Sequence, residues 1–204
     1  MTIEKNTKNR MGQEYSAPSE RWVPDTPLPH TAGGSAQYTI RPLQGSESEI
    51  LKDFLYEAIF VPEGGEPPPR AIVDRPELRV YTDDFGTGPA DNCLVAVSSG
   101  RVIGAVWTRI MDDYGHVDDE TPSLAISLHK ENRGQGIGTA LMKEMLQLLR
   151  GKGYQHASLA VQKRNYAAVR MYENAGFRTV AENGEEYIMV CDLQSESDSE
   201  KCLG

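Results

Sequence analysis

Cysteine is scarce in this chain. Cys93, Cys191 and Cys202 are too few and too scattered for a disulfide framework or a metal cluster, so no metal is expected. The first two fall in strand-like runs, which suits buried apolar packing better than nucleophilic chemistry. Cys202 stands third from the end, one place away from a prenylation signal. Basic charge is also short: 21 Lys and Arg stand against 30 Asp and Glu, for a net charge of -9. Phosphate backbones call for a basic surface, so nucleic acid is not expected as a partner. No run approaches the ~20 apolar residues of a membrane span, and the opening Met-Thr-Ile-Glu-Lys-Asn has no apolar signal core. The expectation is a cytoplasmic protein without a membrane partner. Its 204 residues suffice for one domain with a sizeable core.

Against that background one stretch stands out, Arg133 to Gly138, reading Arg-Gly-Gln-Gly-Ile-Gly. Before it lies the apolar run Leu124 to Leu128, a buried strand by pattern. After it Ile137, Leu141, Met145, Leu148 and Leu149 recur at helical spacing, and Gly151 is a natural stop. The order is strand, glycine loop, helix. Glycines at a helix start let the backbone approach a ligand, and the unpaired first-turn amides attract negative oxygen, so the loop suits a phosphate. A nucleotide-triphosphatase loop would need Gly-Lys-Ser/Thr, but Thr139 and Ala140 follow Gly138. A dinucleotide fingerprint would need Gly or Ala where Thr139 stands, with a later strand bearing an acid. What remains, Arg-x-x-Gly-x-Gly on Arg133, Gly136 and Gly138, resembles the pyrophosphate loop of the GNAT superfamily of acyl-CoA N-acyltransferases.

A second stretch resembles the same family. Ala157 to Val161 reads as a short strand, Asn165 opens a helix to Ala175, and Gly176-Phe177 follows. This looks like the family's Asn-x-x-Ala-x-x-x-Tyr signature with its Gly-Phe pair. Asn165 and Tyr172, seven apart, share one helix face. Read without the family, Asn165 is an N-cap and Tyr172 a core aromatic.

The remaining elements fit one domain over residues 38–193, between an extension (1–37) and an acidic tail (194–204) expected to be disordered. The extension is rich in Pro and Gly and low in periodicity. Its Trp22, with Val23 and Leu28, either pins it to the domain or to a second subunit, as in a homodimer, or belongs to a disordered leader. Tyr38 to Arg41 alternates as a strand, and Ser46 to Phe60 is an amphipathic helix with Ser46 as cap and Glu49 three residues on. A Pro- and Gly-rich loop from Val61 to Arg70 follows, then a short helix from Pro76 to Asp84. Cys93 to Val97 and Val102 to Ile110 form a hairpin about Ser98-Ser99-Gly100-Arg101. Strands near 178–181 and 186–193 close the chain. Hairpins first and a crossover later make an α/β (α+β) fold, a mixed twisted sheet of about seven strands with helices on both faces. That order is similar to the GNAT fold.

The resemblance implies acetyl-CoA as co-substrate and an N-acetyltransferase acting on a small-molecule or peptide amine in a ternary complex. The alternative is a module that senses acyl-CoA without turning it over. By resemblance, backbone groups of Ile126, Ser127 and Leu128 pair with pantetheine. Amides of Gly134, Gln135, Gly136, Ile137, Gly138 and Thr139 hold the pyrophosphate, and Arg133 orients the loop or pairs with phosphate. Asn165 holds the pantetheine arm, Tyr172 protonates the leaving thiolate, and the loop 61–70 is a candidate lid. Lys130, Lys163 and Arg164 add positive charge, or are solvated surface residues. One branch of the family carries a glutamate before Asn165 where Ala160 stands here, so that base is absent. Another carries one thirteen residues before the motif Arg, which lands on Glu120. Glu120 is thus the candidate base, with water as its rival and a plain charged turn as the other reading. The acids Asp112, Asp113, Asp118, Asp119 and Glu120 occur with no Lys or Arg among residues 112–120. An acidic acceptor side favours a cationic amine.

Overall fold

The computed structural model describes residues 29–31 and 37–194. Trp22 and its neighbours, and the tail from 195 on, lie outside the described residues. Eight strands form one mixed sheet in the order β1-β2-β3-β4-β5-β6-β8-β7. Seven are those read from the sequence: β2 (Gln37–Pro42), β3 (Asn92–Ser98), β4 (Arg101–Arg109), β5 (Ser123–Leu128), β6 (His156–Gln162), β7 (Phe177–Asn183) and β8 (Glu186–Asp192). The eighth, β1 (Pro29–Thr31), pairs antiparallel with β2. It lies in the extension and is too short and Pro-led to carry an alternating pattern.

Helices cover both faces. On one, α1 (Ile50–Ala58) and the single turn α2 (Pro76–Arg79) lie over a core that contains Leu51, Phe54, Leu55, Tyr81 and the fully buried Trp107. On the other, α3 (Ile137–Gly151) sends Ile137, Leu141, Met145 and Leu149 against Val106, Leu124, Leu159 and Met189, and α4 (Tyr166–Asn174) adds Tyr172. β3 and β4 run between the two layers, which is why they are apolar on both faces. Both sheet cysteines are buried, and burial pushes the Cys93 thiol above its ordinary range.

Several helix ends differ from the sequence reading: the helix expected over Pro76 to Asp84 gives way to turns after Arg79, and the one expected to reach Phe60 ends at Ala58. Ser46 does not cap α1. It sits inside a 3-10 turn, Gly45–Glu47, where the Gln44 amide donates to the Glu47 carboxylate and Arg41 grips that carboxylate with two 2.7 Å bonds. The arginine diverts the local polar groups, and α1 begins only at Ile50. Likewise α3 runs through Gly151 and stops at Gly153, whose φ of +82° is the left-handed turn that ends the helix. Of two glycines spaced by one residue, spacing alone could not say which takes that conformation. The Ser99-Gly100 hairpin has both central residues at positive φ, as a two-residue turn requires.

The feature that places the site is a failure of pairing. β5 and β6 are parallel neighbours, yet only Ser123 and Ser158 are in register, whereas β6 and β8 share seven register pairs. The two strands meet at their starts and part towards Leu128 and Gln162, leaving a V in the sheet that opens at the glycine-loop end.

Candidate active site

The loop between β5 and α3 is built for an anion. A 3-10 turn, Lys130–Asn132, ends β5, and Gly134 and Gly136 then take φ of +72° and +81°. A Cβ at either would meet nothing within 4 Å, so their need for glycine is conformational and the space before them is open. Gly138 differs: a Cβ there would come 3.3 Å from Leu128 and 3.4 Å from the Met171 sulfur, so it lets α3 pack between β5 and α4. Among the described residues, no group accepts the amides of Gly134, Gln135, Gly136, Ile137, Gly138 or Thr139. Six consecutive free N–H groups at the positive end of a fifteen-residue helix make a cradle for negative oxygen.

Arg133 orients that cradle. Its Nε donates to the Leu128 carbonyl at 2.9 Å, and Nη2 donates to the Glu57 carbonyl and carboxylate at 3.1 and 2.9 Å. The guanidinium thus ties the loop to the end of β5 and to the C-terminal turn of α1. Lys163 is taken up as well, donating to Glu182 at 2.6 Å over the Tyr187 ring. Lys130 and Arg164 have no ion-pair partner among the described residues.

Along β5, Ile126 and Leu128 pack into the α3-side core, and the Ser127 hydroxyl donates to the Phe54 carbonyl at 2.6 Å. Their side chains are committed, which leaves backbone to face the V. Across it, the Asn165 carbonyl oxygen accepts the Ala168 amide at 3.3 Å, so Asn165 is the N-cap of α4. Its amide nitrogen has no partner among the described residues. Two turns on, Tyr172 is 8% exposed, its ring 5.9 Å from that of Phe177. Nothing among the described residues bonds its hydroxyl, and burial raises its pKa, holding the proton on the phenol.

The sequence reading puts the acceptor side on the segments after α1 and after β4. The loop 61–70 is pinned at its far end: Tyr56 donates to the Pro68 carbonyl at 2.7 Å, and Arg70 pairs with Asp53 at 2.5 Å over the Tyr56 ring. Glu120 lies in an exposed turn, where Asp118 accepts the amides of Glu120 and Thr121. Asp113 was counted in the sequence only as one acid of that run, but it turns inward. Its Oδ2 accepts the Tyr81 hydroxyl at 2.8 Å and the Ser123 hydroxyl at 2.7 Å, while Oδ1 is buried without a partner. Burial pushes its pKa up, and the two hydroxyls, with the nearby backbone amides of Gly115 and Asp113 itself, pull only partly against that. No periodicity follows Ile110, so sequence gave no signal that would set Asp113 apart. Among the described residues there is no group of three His, Cys, Asp or Glu able to hold a metal, and no helix long and apolar enough to cross a membrane.

A V-shaped parting of parallel strands thus has a cradle of free amides at its mouth. The chain matches the acetyltransferase (GNAT) family over residues 55–177 and belongs to it. Curated relatives include an N-acetyltransferase 8 of Rattus norvegicus, 30% identical over 103 residues, half of this chain and 45% of that protein. A mycothiol acetyltransferase of Thermobispora bispora is 33% identical over 116 residues, 53% of this chain and 39% of that one. The chain thus spans less than half the length of these two relatives. Among solved structures, the GNAT domain of S. lividans PAT superposes with a TM-score of 0.61 at 15% identity, covering 84% of this chain and 99% of that one. The PaiA N-acetyltransferase of Thermoplasma acidophilum, solved with coenzyme A, gives 0.57 at 20% identity, covering 76% and 98%. At such identities the likeness is one of fold.

Proposed function

We propose that this GNAT protein moves an acetyl group from acetyl-CoA to a primary amine by direct attack in a ternary complex. The observation that carries the reading is the run of six unpartnered amides at the start of α3, beside the V between β5 and β6. A diphosphate is the ligand such a cradle suits, and a chain of amides lying in the V suits the unpaired edges of two parting strands. Gly134 to Thr139 would hold the pyrophosphate, with Arg133 fixing the loop. The backbone of Ile126, Ser127 and Leu128 would pair with pantetheine from one side, and the free amide nitrogen of Asn165 would donate from the other.

In the reaction the amine nitrogen forms a bond to the acetyl carbon, the carbon–sulfur bond breaks, and the sulfur must take a proton. Tyr172 is the donor in this reading. Burial keeps it protonated, and makes full release to a thiolate uphill, so the phenol would share its proton as the bond breaks. The amine in turn must lose a proton. Glu120, in its exposed turn, would receive it through water. Cationic amines are the favoured acceptors because both acceptor-side segments are acidic.

Thiol release measured against a panel of amines tests this. Release that depends on an amine is expected. Tight acetyl-CoA binding with no amine-dependent release would favour a sensor, and the absence of any coenzyme binding would overturn the family reading of the site.

A further inference from the structure

A cluster of polar groups closes the base of the V. Gly115 is pressed against it: a Cβ there would lie 2.8 Å from the Leu159 carbonyl carbon and the Ser123 oxygen, and 2.9 Å from the Ala160 nitrogen. The segment 113–116 therefore seats on the one point where β5 and β6 still pair, Ser123 with Ser158. Tyr81 is brought to the same place by a separate device. The half-buried Arg109 guanidinium, paired with Asp91 at 3.2 Å, donates to the carbonyls of Val80 and Asp83 at 2.9 and 2.7 Å. That clamps the turn carrying Tyr81, whose hydroxyl then points at Asp113.

Both hydroxyls that meet Asp113 spend their hydrogens on it. What Tyr81 and Ser123 present outward is therefore lone pairs alone, ready to accept. Glu186 on β8, which accepts from Gln162 at 2.8 Å, and the half-exposed Tyr114 lie near enough to help raise the Tyr81 pKa, after burial and Asp113. Ser158, fully buried beside Ser123, has a hydroxyl with no partner at all. Among the described residues no lysine or arginine contacts Asp113, so this carboxylate does not serve an ion pair.

We infer that Tyr81 and Asp113 form a proton relay that deprotonates the acceptor ammonium in place of Glu120, a role resting on the acetyltransferase reading above but not on its choice of base. The ammonium donates to the Tyr81 oxygen. As the nitrogen gives up its proton to that oxygen, the hydroxyl hydrogen of Tyr81 passes to Asp113, and the neutral amine attacks. Tyr81 is never an anion, and Asp113 returns the proton to solvent after turnover. Asp113 acts through Tyr81 and is a positioning and proton-holding residue; Tyr81 touches the amine.

The test uses the full chain with a cationic amine, following kcat and kcat/KM against pH for the parent, Asp113→Asn, Tyr81→Phe and the double variant, with acetyl-CoA affinity by calorimetry. Asparagine keeps an oxygen for the hydroxyls but cannot hold the proton. The relay predicts that kcat falls about ten- to hundred-fold at neutral pH in either single variant. The deficit should close as pH nears the amine's own pKa, acetyl-CoA affinity should hold, and the double variant should be no worse than the singles. An unaltered pH profile in Asp113→Asn, or an equal loss at every pH with weaker coenzyme binding, overturns the relay. So does an acid limb that vanishes in Glu120→Gln instead. A parent that binds acetyl-CoA but acetylates no amine sinks the underlying reading, and the relay falls with it.

Discussion

At the scale of single residues, the site holds two groups whose pKa burial raises. Tyr172 is kept protonated, and its hydroxyl bonds to nothing among the described residues. Removing it therefore takes away no folded-state hydrogen bond. Tyr172→Phe should leave the melting temperature and acetyl-CoA affinity near the parent's while kcat drops by roughly two to four powers of ten, the range for a lost general acid. A variant that keeps its turnover would show that the proton comes from elsewhere. Asp113 is raised in the same direction, but as a carboxyl it starts from a range where the shift shows in stability. The folded state then holds the proton more tightly than the unfolded one, so stability falls as pH rises from the ordinary carboxylate range through the folded pKa. Asp113→Asn should for that reason melt no lower than the parent at neutral pH, and the difference should shift against the variant in acid. A thermal-melt series across pH reads this directly, and a large loss of stability at neutral pH would mean the charge is needed for folding.

At the scale of elements, the glycine loop and the start of α4 each combine folding with a binding duty, and substitutions can separate the two. Gly136→Ala places a side chain in open space but on a backbone at φ +81°, a strain of about 1 to 2 kcal/mol. Coenzyme affinity should fall by more than that strain explains, because the methyl stands where the pyrophosphate would come. Calorimetry beside a denaturant titration checks it. Asn165 caps α4 through its oxygen and leaves its amide nitrogen free. Serine caps as well as asparagine but has no amide, so Asn165→Ser should keep the melting temperature and raise the KM for acetyl-CoA, whereas Asn165→Ala should also lose about 1 kcal/mol of stability. Elements of this kind were legible in the sequence because their chemistry is local: glycines before a helical period, an Asn opening one, a Gly closing it. The α1 start was not, because Arg41, from the preceding strand, competes for Glu47. Asp113 was not, because what turns it inward is Tyr81, thirty-two residues earlier, and Ser123 ten later.

At the scale of the whole molecule, charge is divided across the sheet. Arg133 is spent on Glu57 and Lys163 on Glu182, so the coenzyme side relies on backbone amides more than on free cations. The acceptor side carries Asp112, Asp118, Asp119 and Glu120 on exposed or partly exposed loops with the inward Asp113 and Glu186 behind them. A net charge of -9 adds a general negative field. Such a field draws in cations over distances comparable to the Debye length, about 10 Å at 0.1 M salt, and does nothing for neutral molecules. The consequence is an asymmetry between acceptors. For a polyamine or other multiply charged amine, KM should rise several-fold as salt goes from tens of millimolar to about half molar, with kcat little changed. For an amine that is neutral at the assay pH, KM should stay nearly flat over the same range. Reversing two of the exposed acids that take no part in the chemistry, as in Asp112→Lys with Asp119→Lys, should shrink the salt dependence for the charged acceptor without touching the uncharged one. Equal salt responses for both acceptors would mean that the acidic loops serve solubility and that recognition of the amine lies deeper, at Tyr81 and Asp113.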